Sequence, residues 1–197
     1  MFRFLNFFGL NFFGYNLLGH NFFRLCFAGL MMAVVGLVGP AYSQTLSVLD
    51  DMSFGMTDVE ANPPAGTLQM GPNGFITYGM HLNGSGVGVA AKVQLNGSTG
   101  QSVDIRCSAS ATIARAGGDT IPLNPIKISF GVAESYGTAT NCNGIGVTVL
   151  TTTLSATATD NIAYFGGELD VNGLTINGSY NTGNTNGVPL TVTVIFI

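Results

Sequence analysis

Over residues 103–113, "VDIRCSASATI", the chain alternates strictly. Val103, Ile105, Cys107, Ala109, Ala111 and Ile113 fall on one side, and Asp104, Arg106, Ser108, Ser110 and Thr112 on the other. Successive side chains of a strand point to opposite faces, whereas an amphipathic helix needs apolar residues three and four apart, so this parity reads as a half-buried strand. The same parity sets Val87, Val89, Ala91, Val93 and Leu95 against Lys92 and Gln94, and aligns Ile126, Ile128, Phe130 and Val132. No stretch carries a convincing helical stripe.

Asn-Gly pairs punctuate these runs at 73–74, 83–84, 96–97, 143–144, 172–173, 177–178 and 186–187. Asn and Gly tolerate the positive φ that tight hairpin turns require. Alternating runs between such turns predict an all-β antiparallel domain, an immunoglobulin-like or pilin-like β-sandwich. Three of the pairs, at 83, 96 and 177, are followed by Ser and also match a glycosylation acceptor, although each also fits a turn. A small outer-membrane β-barrel would share the length and the alternation. Against it, the chain has no Trp, its Phe and Tyr residues do not form girdles at strand ends, and its Ala- and Gly-rich strands would give a thin lipid-facing band.

The first 43 residues read differently. Asn returns every five positions in "NFFGLNFFGYNLLGHNFFRL" (6–25), a period that makes no stripe on a helix and switches faces on a strand. A β-helix of pentapeptides would need more stacked coils than four repeats supply. No Asp or Glu occurs before Asp50; Arg3 and Arg24 precede the apolar run "LCFAGLMMAVVGLV" (25–38), and Ala41 and Ser43 form a small-residue cleavage site. This is the order of a secretory signal peptide, with cleavage between Ser43 and Gln44. An uncleaved anchor is the rival, but the run is shorter than the roughly 20 residues a spanning helix needs. Residues 1–43 are therefore read as leader and 44–197 as a single domain.

Cleavage leaves Lys92, Arg106, Arg115 and Lys127 against all ten acidic residues, four positive charges less ten negative, or −6. Four scattered cations cannot form the basic footprint that nucleic acid or anionic lipid requires, so neither is expected as a partner of the mature domain. Cys26 departs with the leader, leaving Cys107 and Cys142. An even count in an exported protein predicts a disulfide, with a stabilisation of at most about 4 kcal/mol. A metal pair is the alternative, but two cysteines without a histidine cluster make a poor zinc site.

Three stretches, taken together, carry a family likeness. "MSFGMTDVEANPPAGTLQMGPNG" (52–74) has a Phe-Gly strand end, a loop, a Gly-Thr-apolar strand and a Pro-Asn-Gly turn. "AAKVQLNGSTGQSVDI" (90–105) is strand, turn and strand, and "FGGELDVNGLTINGSYNTGNTNGVPLTVTVIFI" (165–197) joins a Gly-Gly-x-Leu-x-Val strand to a terminal Thr-Val-Thr-Val strand. This order resembles the bacterial family called domain of unknown function 4402 and covers most of the mature chain. The insertion "NTGNTNGVP" lengthens the link before the last strand. The resemblance implies an exported single-domain β protein without an assigned activity. A looser similarity to fimbrial subunits lies in size, leader, single disulfide and apolar C-terminal strand, and fold-level analogy of this kind does not establish function.

Catalytic chemistry is not expected. His81 is the one histidine after the leader and has no nucleophile signature to complete a triad. Asp50 with Asp51, Asp58 with Glu60, and Glu168 with Asp170 form small acidic groups, and the last two share the solvent side of their strand. No calcium loop and no βαβ phosphate cradle accompanies them, so no cofactor or metal is expected. The expectation is a structural or adhesive β-sandwich of the bacterial surface or periplasm, using self-association or strand exchange. The alternatives are the barrel, an exported carbohydrate-binding module and an exported hydrolase. In "VPLTVTVIFI" (188–197), Leu190, Val192, Val194 and Phe196 share one face, which predicts a strand over 190–197 buried on that face and close to covered on the other.

Overall fold

The structure, a computed structural model, describes residues 44–55, 57–59, 66–79, 82–84, 86–171, 180–182, 184 and 186–197. The expected leader with its repeat, the expected cleavage position at Ser43, Glu60, His81 and the Asn-Gly pairs at 172 and 177 lie outside the described residues, of which Gln44 is the first.

Fourteen strands are described. They are β1 (Thr45–Asp50), β2 (Thr57–Val59), β3 (Gly66–Met70), β4 (Ile76–Tyr78), β5 (Leu82–Gly84), β6 (Ala91–Asn96) and β7 (Ser102–Cys107). There follow β8 (Ala111–Arg115), β9 (Thr120–Phe130), β10 (Thr140–Asn141), β11 (Leu150–Thr153), β12 (Ile162–Val171), β13 (Tyr180–Asn181) and β14 (Val192–Phe196). One sheet runs β1-β6-β12-β9-β8-β13; β10 adds to β9, and β3, paired with β4, adds to β12. A second sheet runs β11-β7-β14, and β2 with β5 makes a small ribbon. Every pairing among the described residues is antiparallel.

Neither large sheet closes on itself, so the chain is an all-β sandwich and the barrel alternative is set aside. Val103, Ile105 and Cys107 of β7 are fully buried. They share one core cluster with Leu95, Ile126, Ile128 and Phe165 of the first sheet. Each such side chain contributes about 1.5–3 kcal/mol on leaving water.

The alternation over 103–113 is real, but it spans two strands rather than one. The chain leaves β7 at Cys107, passes Ser108–Ser110 and enters β8 in the other sheet. Ala109, at the corner, is exposed, while Ala111 and Ile113 keep the inward parity. Parity is a property of the local backbone and is silent about which sheet a segment joins.

The expectation for 87–95 holds only in part. Val93 and Leu95 are buried, but Val87 (62% exposed) and Val89 lie outside. Ala90 is buried in their place, three positions before Val93, so the parity slips by one residue at the start of β6. Val132 is likewise exposed, because β9 ends at Phe130. At 96–97 the turn is made instead by Ser98–Gln101, with Gly100 at φ 80°. Asn83–Gly84 lies within β5. The pairs at 73 and 186 do turn the chain: Gly74 has φ 80° and Asn186 has φ 71°.

The C-terminal segment is a strand over 192–196, shorter than the expected 190–197. Its inward face is Val192, Val194 and Phe196, as expected. The other face is open: Thr193 is exposed, Ile195 is 38% exposed and Ile197 69%. Nothing among the described residues packs over it closely enough to cover it as expected.

Candidate functional site

Cys107 and Cys142 are bonded, with Cα atoms 5.3 Å apart. Cys107 ends β7 of the second sheet. Cys142 follows β10 and donates its amide to the Ile126 carbonyl of β9 in the first sheet at 2.9 Å. The bridge therefore ties the two layers together, and the sulfurs are bonded to each other rather than held as a metal pair.

On the outside of the first sheet, Glu168 of β12 accepts hydrogen bonds at Oε2 from Gln69 Nε2 (2.7 Å) and from the Tyr136 hydroxyl (2.8 Å). Glu168 faces Gln69 because β12 and β3 pair in that register. Lys127 Nζ lies 4.8 Å from the centre of the Tyr136 ring, a cation–π distance. Burial, then the hydrogen bond and negative charge of Glu168, hold the Tyr136 phenol well above its ordinary range. The cluster fastens the loop 131–139 to the sheet. That loop also receives the Asn73 amide at the Glu134 carbonyl (2.9 Å). Glu168 and Asp170 do share the outward side of β12, but only Asp170 is exposed. The chemistry here is mutual satisfaction of polar groups, with no acid–base pair opposed across a cleft.

On the outside of the second sheet, Asp104 accepts from the Thr151 hydroxyl (2.6 Å) and the Thr148 hydroxyl (3.2 Å), and Arg106 Nε donates to Thr148 Oγ1 (3.3 Å). Asp50 pairs with Lys92 across β1 and β6 at 2.7 Å. Asp51 beside it is raised above the usual carboxylate range by desolvation and by Asp50. The side chains of Asp58 and Glu60 lie outside the described residues. No group of three or more His, Cys, Asp or Glu side chains comes together among the described residues.

Two surfaces expose apolar side chains or an outward strand edge instead. Phe75 (68% exposed) bridges Val87, and Val89, which bridges Ser53, is exposed as well. The second is the far edge of β14. Ser108 donates to the Thr191 carbonyl and Ile197 donates to the Ser102 carbonyl, both in β7's direction. Groups alternate along a strand, so Thr193 and Ile195 also turn their N–H and C=O toward β7. Val192, Val194 and Phe196 turn theirs outward, where no strand among the described residues pairs with β14.

Sequence reasoning found the disulfide and the strand but missed the Tyr136–Glu168 contact, because its partners come from three separated segments. The exposed Phe75 pair was also missed, since parity alone assigned Val87 and Val89 to the core. Comparison with family models, with curated proteins and with solved structures finds no match.

Proposed function

We propose that the protein is an exported structural or adhesive β-sandwich of the bacterial cell surface or periplasm, of fimbrial-subunit type, acting by contact through its edges and loops and without catalysis. The observation that carries this is the outer edge of β14. From Val171 to Ile197 the sequence contains no charged residue. Soluble proteins guard exposed edges with Lys, Pro or bulges, and β14 has none of these within it. An edge left in that state is suited to strand addition. The inter-sheet disulfide fits an oxidising compartment, in agreement with the leader expected at 1–43. The likeness to the family of unknown function and to pilin-like subunits belongs to the same proposal.

Fractionation of a tagged protein tests it. Recovery in soluble periplasm or in shed filaments is the expected result. A heat-modifiable band confined to the outer-membrane fraction, or retention in the cytoplasm, would refute it.

A further inference from the structure

The core is unevenly closed. On the central strand β7, Val103, Ile105 and Cys107 are fully buried, whereas on β14 the inward-facing Val194 and Phe196 are only half-buried, as is Leu190 just before the strand. Among the described residues β14 is the edge strand of the second sheet, with no strand beyond it over these side chains. At the same place the amides and carbonyls of Val192, Val194 and Phe196 point outward.

We infer that this edge takes the β14 strand of a second copy of the chain, antiparallel, about a two-fold axis through Val194. The register follows from the parity. Centring on Val194 sets Val194 against the partner's Val194 and sets Val192 against the partner's Phe196. These are the residues whose outward backbone groups no strand among the described residues pairs, and each facing pair exchanges both N–H···O bonds. Thr193 then lies opposite the partner's Ile195 on the outer face. Core-facing side chains meet core-facing side chains, so both sandwiches continue into one six-stranded layer without flipping a residue to the wrong side. A second copy is an occupant the charges permit. A strand without ionisable groups meets an identical neutral strand, with no like charges opposed and no ion to desolvate. The contact is isologous, and therefore closes at a dimer. This dimer rests on the proposed function and names a partner for its edge; because it closes, it goes with recovery in soluble periplasm rather than with filaments built through β14.

Sedimentation equilibrium on the exported protein, with its disulfide intact, tests the pairing together with two variants. The native protein is expected to be a concentration-dependent dimer. Val194→Pro removes an outward N–H and no bond to β7, and is expected to give a folded monomer. The double variant Thr193→Cys/Ile195→Cys places thiols at facing non-hydrogen-bonded positions, where Cα atoms stand about 4.5 Å apart, within disulfide range. It is expected to yield a reducible covalent dimer. A native protein that stays monomeric to its solubility limit overturns the pairing, as does a dimer that survives Val194→Pro and fails to cross-link. Should Val194→Pro not fold, the cross-link decides: its formation sustains the two-fold register and its absence removes it. A monomer found in the periplasm would remove the dimer and leave the export proposal standing, whereas a dimer of cytoplasmic protein would do the reverse.

Discussion

The Tyr136 hydroxyl donates to Glu168 Oε2 at 2.8 Å, the same oxygen that receives Gln69 Nε2, so one carboxylate joins the loop 131–139 to two strands of the first sheet. The contact orders a segment that otherwise projects from the end of β9.

Its pH dependence has a definite sign. The folded state favours the neutral phenol, so the folded pKa of Tyr136 exceeds the unfolded value of about 10. The associated stability is fully present below that value and is lost as pH rises through the folded pKa. Absorbance titration of the native protein is expected to show Tyr136 ionising late, and Tyr136→Phe should remove that late component. At neutral pH the substitution is expected to cost about 1 kcal/mol, since the pair is partly solvated. A native titration in which Tyr136→Phe removes no late component would contradict the contact.

Gly166 marks where the first sheet branches, for β12 pairs with β6 up to Phe165 and with β3 from Gly167. A Cβ there would lie 2.1 Å from the Met70 carbonyl oxygen and 2.7 Å from the Gly71 carbonyl carbon, both backbone atoms with little room to yield. Gly166→Ala is expected to destabilise the fold by about 3 kcal/mol or more in urea denaturation. Gly137→Ala, where a Cβ meets nothing within 4 Å, is expected to be neutral or slightly stabilising. Equal effects would show that the branch is not so tightly packed.

Strand type was legible because parity in β7, β9 and β14 survives in any sheet that has one buried face. The assignment of segments to sheets was not legible. Nothing at Ser108–Ser110 distinguishes a corner from a continuing strand, since Ala109 keeps the pattern while lying outside. Val87 and Val89 misled for a related reason. Gly88 occupies the inward position between them, where its Cβ would meet the Ser53 carbonyl oxygen at 2.5 Å, so the larger residues are turned outward. The Glu168 cluster depends on Gln69, 99 positions away, and on a loop residue; periodicity records neither.

The hydrogen-bond parity of β14 can be read by proline substitution at neighbouring positions. Thr193 turns its amide toward β7 and Val194 turns its amide away. Thr193→Pro is therefore expected to destabilise the monomer by about 1–3 kcal/mol, through the lost ladder bond and the carbonyl it leaves unpaired, and Val194→Pro by less. Thermal melts under dilute conditions separate the two. A reversed order would place the free edge on the wrong residues.

Intact-mass measurement of the protein recovered from the export compartment, without reduction, tests export, cleavage and the disulfide together. The expected mass is that of a chain beginning at Gln44, less two hydrogens for the Cys107–Cys142 bridge, with no reaction toward a thiol probe. Cell-associated protein that retains the Asn-Phe-Phe repeat and carries free thiols at both positions would contradict it.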